Sequence, residues 1–66
     1  MNYNEFFHDV SVWINVCNQK SLELGGVKST HFWVWVADSL GRLCEKYDNH
    51  ALVQAQVKML WDWLQK

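Results

Sequence analysis

The sequence predicts an all-α fold, a small three-helix bundle, with helices near residues 2–24, 30–47 and 50–65 of a single domain spanning 1–66. Three observations support this. Apolar residues recur at steps of three and four in three separate segments. Only two clusters of breakers interrupt the chain, Gly25-Gly26 and Tyr47-Asp48-Asn49-His50, and Pro is absent. The connections are short, which makes successive helices antiparallel neighbours.

In the first segment Tyr3, Phe7, Val10, Ile14, Cys17 and Leu24 form a stripe with Phe6 and Trp13 on its flanks, one face of about six helical turns. Asn2 with Glu5 three residues later has the pattern of a capping box, and Gly25 is placed to end the helix. A strand pattern competes inside this stretch, because Val10, Val12, Ile14 and Val16 alternate with Ser11, Trp13 and Asn15. The alternative fold is therefore α+β, with strands near 10–17 and 31–37. The stripe's extension through residues 3 to 7 favours helix.

Ser29 or Thr30 can cap the second segment. It carries two apolar seams, one of Phe32, Val36, Leu43 and Tyr47 and one of Trp33, Ala37, Leu40 and Cys44. Its Phe32-Trp33-Val34-Trp35-Val36 run favours strand locally, since alternate residues of a strand share a face. On a helix Trp33 and Trp35 lie about 160° apart and cannot enter one core together. The seams continue through Tyr47, and helix prevails. Asp48 or Asn49 is then expected to cap the third segment. Val53, Val57, Leu60 and Leu64 form one seam there with Trp61 beside them, and Leu52, Met59 and Trp63 form another.

Composition narrows the function. Six Lys and Arg against seven Asp and Glu give a net charge of −1, spread along the chain, which argues against nucleic acid as the main partner. No apolar run reaches the ~18 residues of a membrane span, and the N-terminus lacks the pattern of a signal peptide. Two Cys fall short of a secreted disulfide framework, so the expected compartment is the cytoplasm.

His8, His31, His50, Cys17 and Cys44 have no ligand-type spacing, so no metal and no cofactor is expected. No nucleophile motif or phosphate loop occurs. Asp38, Arg42 and Glu45 read as an ion-pair ladder on a wet helix face rather than an acid and base pair. The sequence therefore points away from an enzyme.

The aromatic surplus is the more specific signal. Five Trp and half the residues apolar are a heavy load for a thin core. With Phe32, Val36, Leu40 and Leu43 facing inward, Trp35 is expected on the opposite, charged side among His31, Asp38, Arg42 and Lys46, with Val34 also outside the core. Val12 and Val16 leave the core of the first helix, and Leu52, Met59 and Trp63 make the extra seam of the third.

The expected function is a non-enzymatic protein-interaction module. It would bind itself as a homodimer, or another protein, through Trp35, Val34, Arg42, His31, Trp63, Met59, Leu52, Val12 and Val16. The same features suit an accessory protein of a phage or mobile element, an idea that no single residue carries. The competing function is a small DNA-binding regulator of helix-turn-helix type, for which Gln54, Lys58 and Gln65 would be the reading residues.

Overall fold

A computed structural model describes residues 1–65. Its elements are α1 (Tyr3–Leu24), a 3-10 turn (Gly26–Lys28), α2 (Thr30–Lys46) and α3 (Ala51–Leu64), with no strand among the described residues. The three-helix reading holds and the α+β alternative is overturned: residues 10–17 and 31–37 lie inside continuous helices. Helical seams that run the length of each segment outweigh the local β-propensity of Val, Phe and Trp.

The ends of α1 follow their sequence signals. Asn2 accepts the Glu5 backbone N–H on its side-chain oxygen at 3.0 Å. Gly25 adopts φ 95°, a left-handed conformation that glycine enters without penalty, and donates its N–H to Ser21 O. Two other caps differ from expectation. Ser29 begins α2 without a side-chain bond. α3 is capped by His50, whose Nδ1 accepts the Leu52 N–H at 3.1 Å, and not by Asp48 or Asn49. Those two residues take left-handed φ values of 54° and 57° to build the turn. Asn and Asp tolerate that conformation best among residues with a Cβ, and so they are used up before the cap position is reached.

The core comprises Phe6, Val10, Trp13 and Cys17 of α1, Phe32, Val36, Leu40 and Leu43 of α2, and Val53 and Leu60 of α3. The second-helix core set was therefore read correctly. On α1 the buried stripe is rotated by about one residue from the expected one: Phe6 and Trp13 are central, while Tyr3 and Phe7 are exposed. The cause is the packing order. α1 and α3 each lie along α2 and touch one another little, so α1 turns its buried face toward α2. Burying an aromatic or Leu side chain is worth about 1.5–3 kcal/mol, which makes that choice of neighbour decisive.

Polar ties lock the α1–α2 seam. Trp13 Nε1 donates to Ser39 Oγ at 2.8 Å, and that hydroxyl donates to Val36 O. Lys46 Nζ reaches Asp9 at 2.7 Å and Glu5 at 3.2 Å, and the Tyr47 hydroxyl donates to the same Asp9 carboxylate.

Candidate partner-binding surface

The nine residues singled out in the sequence fall into three groups in space. Val12, Val16, Trp35 and Arg42 line one shallow groove between α1 and α2, together with Trp13 and Ser39. Leu52, Met59 and Trp63 form a stripe along the flank of α3, where Met59 and Trp63 are exposed and Leu52 is half-buried. His31 and Val34 stand apart as exposed side chains on α2.

Trp35 does not stand free on a charged face. It is half-buried, with its ring stacked on Trp13 at 5.5 Å between centroids and 16° between planes. An offset stack of this kind adds to the area it covers. Helical angle alone placed Trp35 away from the core, but an indole is long enough to lean from the flank of α2 across to α1. Arg42 turns the other way and bonds Asp38 at 2.7 Å, the i,i+4 pair anticipated from the sequence. The α1–α2 groove is thus floored by a satisfied aromatic stack and edged by paired charges.

The second Trp-x-Trp question resolves in parallel. Trp33 packs on Trp61 with centroids 5.0 Å apart, and its Nε1 donates to Val27 O at 2.6 Å. Both rings are half-buried across the α2–α3 seam. Ala37, Gly41, Cys44, Val57 and Trp61 line a shallow apolar groove of about 350 Å³ on that side. Trp63, two residues beyond Trp61, points away from this seam and is exposed.

Two large side chains that the sequence reading had assigned to the core join the exposed set. Tyr3 and Phe7 of α1, with Met59 and Trp63 of α3, are each 45–55% exposed. Helical geometry puts them on one side of the molecule. Trp13 and Asp9 define the flank of α1 turned to α2, and Phe7 lies about 120° around the helix from Trp13. Trp61 defines the flank of α3 turned to α2, and Trp63 lies about 160° away. Both exposed flanks therefore open on the side opposite α2, where α1 and α3 run parallel to each other. Ile14 and Leu52 are half-buried on the same flanks.

The middle of this α1–α3 face carries no formal charge, and at its α3 edge Lys58 and Asp62 line the hollow beside Met59 and Trp63. Its α1 flank reads Tyr3, Phe7, Ser11, Ile14 and Asn18, and its α3 flank Leu52, Gln56, Met59 and Trp63. The charged side chains of α1 and α2 lie elsewhere, including the Glu5–Asp9–Lys46 cluster on the α1–α2 seam. Sequence reasoning found the α3 half of this face. It missed Tyr3 and Phe7 because a four-and-three stripe does not reveal which neighbour the helix will turn toward.

Electrostatic perturbation centres on the α1–α2 seam. The Lys46 ammonium, and next the Tyr47 hydroxyl, hold the Asp9 carboxyl below the usual carboxylate range. Lys46 is raised in return by Asp9 and Glu5. Partial burial and then the bond to Asp9 push the Tyr47 phenol up. Burial raises the Cys17 thiol. The Glu5–Asp9–Lys46–Tyr47 cluster is an interlock between helices, with its donors and acceptors turned on one another.

Among the described residues no helix is long and apolar enough to cross a membrane. Comparison with protein-family models, with curated proteins and with solved structures finds no significant match to the chain.

Proposed function

We propose that this protein is a non-enzymatic interaction module of the cytoplasm whose binding surface is the α1–α3 face. One observation carries the reading. Two aromatic residues of α1 and a Met and Trp of α3 remain about half exposed on one side of the molecule, with charge only at its α3 edge, where Lys58 and Asp62 cancel. Single exposed apolar residues are ordinary on any protein. A set gathered on one side, enriched in aromatic residues and Met and depleted of charge, has the composition of an interface centre.

The α1–α2 and α2–α3 grooves support the reading less well, since their indoles already pack in pairs, one stacked and one tilted, and two of the indole N–H groups have acceptors. Leu22 is 88% exposed but isolated near the end of α1, which makes it a useful control position.

A photo-crosslinking amino acid placed at Trp63 tests the proposal, with the same group at Leu22 as control. Irradiation in cells should join position 63, and not position 22, to a protein. Equal yields at both positions, or none at 63, would contradict the proposal.

A further inference from the structure

The partner of this face can be narrowed, on the footing of the interaction reading above. We infer that it is a second copy of this chain, docked by the same α1–α3 face through a two-fold axis, so that the α1–α3 pair of one protomer packs on that of its partner.

Charge is the first argument. An isologous interface sets a surface against itself, so any net sign on it is met by the same sign. The α1–α3 face has none, whereas the α1–α2 side carries Asp9, Arg42 and Lys46. Lys58 and Asp62, which line the hollow beside Met59 and Trp63, are of opposite sign and leave a partner of one charge sign little net attraction.

Geometry is the second. α1 and α3 both run antiparallel to α2 and hence parallel to each other. The edge contact between Phe6 and Tyr47, at 5.4 Å, places the start of α3 beside the first turns of α1. Tyr3 and Phe7 therefore lie at one end of the face and Trp63 at the other, about 15 Å along the axis. A two-fold axis lying in the plane of the interface, across the line from Phe7 to Trp63, brings the Tyr3–Phe7 end of one copy onto the Trp63 end of its partner. Each half-exposed ring then meets an aromatic counterpart, and the two Met59 side chains fill the space between.

Area is the third. A standard interface takes about 800 Å² from each partner, of which roughly 65% is apolar in homodimers. Tyr3, Phe7, Met59 and Trp63, each about half exposed, supply on the order of 400 Å² per copy. Most of the apolar part is thus present in four side chains. The fold also lacks other reinforcement: Cys17 and Cys44 are unpaired, and no metal-ligand cluster occurs among the described residues. Small folds without a disulfide or metal commonly gain stability by association.

The test uses Met59, which is exposed and outside the buried core. Met59→Glu and Met59→Lys each put one sign of charge on the face. At about 100 μM the wild-type chain should sediment at twice its 7.9 kDa mass. Each variant should keep the wild-type helical circular dichroism and sediment as a monomer, its dissociation constant raised at least about tenfold by like-charge repulsion and desolvation. An equimolar mixture should restore a dimer with one copy of each, because the opposite signs now face each other.

A wild-type chain that stays monomeric at about 100 μM overturns the inference, as does dimerisation of both variants with wild-type affinity. Crosslinking at position 63 that joins only a different protein would also overturn the second copy as partner while leaving the interaction module standing. No crosslink at all would remove both.

Discussion

Two residues on the α1–α2 seam show how single side chains hold this fold. Ser39 Oγ accepts the hydrogen bond of the Trp13 indole, and Trp13 is nearly fully buried. Ser39→Ala leaves that N–H unpaired in an apolar setting. The expected loss is about 1–2 kcal/mol in chemical denaturation, with helix content unchanged in the native baseline. Asp9 sets the acid limit. Its folded carboxyl titrates below its unfolded value, so the stability it confers is complete above about pH 5 and drains away as pH falls through the folded value. Urea midpoints from about pH 6 to pH 2 should show a shallower acid slope in Asp9→Asn than in the wild type.

Neither partnership was readable from the chain. Trp13 and Ser39 are 26 residues apart, and Asp9 and Lys46 are 37 apart. Pairs so distant depend on how two helices are rotated about their axes, which periodicity fixes only to within a residue. The local Asp38–Arg42 pair was readable because helix geometry alone sets it.

At the scale of the element, caps and stripes were legible to different degrees. Asn2 and Gly25 end α1 as their residue types dictate, because both roles depend on local backbone conformation. Gly25→Ala would force a Cβ into left-handed backbone at φ 95°. Its nearest neighbour would be Ser29 Cβ at an ordinary 3.6 Å, so the cost of about 1–2 kcal/mol is conformational rather than steric. The cap of α3 was misplaced, since Asp48 and Asn49 are consumed by the turn and His50 does the capping. A carboxylate is the better cap and also suits the positive end of the helix dipole. His50→Asp should raise stability by about 0.5–1 kcal/mol, read as a higher melting temperature at neutral pH. The rotated stripe of α1 has the larger consequence. It moves Trp13 into the core and brings Tyr3 and Phe7 out, changing which face of the molecule is apolar.

At the scale of the whole molecule, a bundle of 35 × 19 × 16 Å covers its indoles on the α1–α2 and α2–α3 seams and leaves its half-exposed aromatic residues and Met59 on the α1–α3 side. The all-α class and the three helices followed from seam length. The exposed surface followed only in part: Leu52, Met59 and Trp63 were placed on it, whereas Trp35 was drawn off by the Trp13 stack. An interface of this composition should ignore ionic strength, because salt screens charges and leaves apolar contact intact. The DNA-binding alternative demands the reverse, an affinity for duplex that collapses as salt rises. Solution mass in low and high salt therefore separates them: a dimer retained at about 1 M salt fits an interface held by apolar contact, and its dissociation there contradicts it.

The central claim is that a second copy of the chain covers the α1–α3 face, and hydroxyl-radical footprinting reads that coverage directly. Met and Trp are efficiently oxidised where solvent reaches them. Between about 1 μM and about 100 μM protein, the account predicts falling oxidation at Met59 and Trp63 while Leu22 and Val34 react unchanged. Oxidation at Met59 and Trp63 that stays constant over this range, or falls equally at Leu22 and Val34, would contradict it.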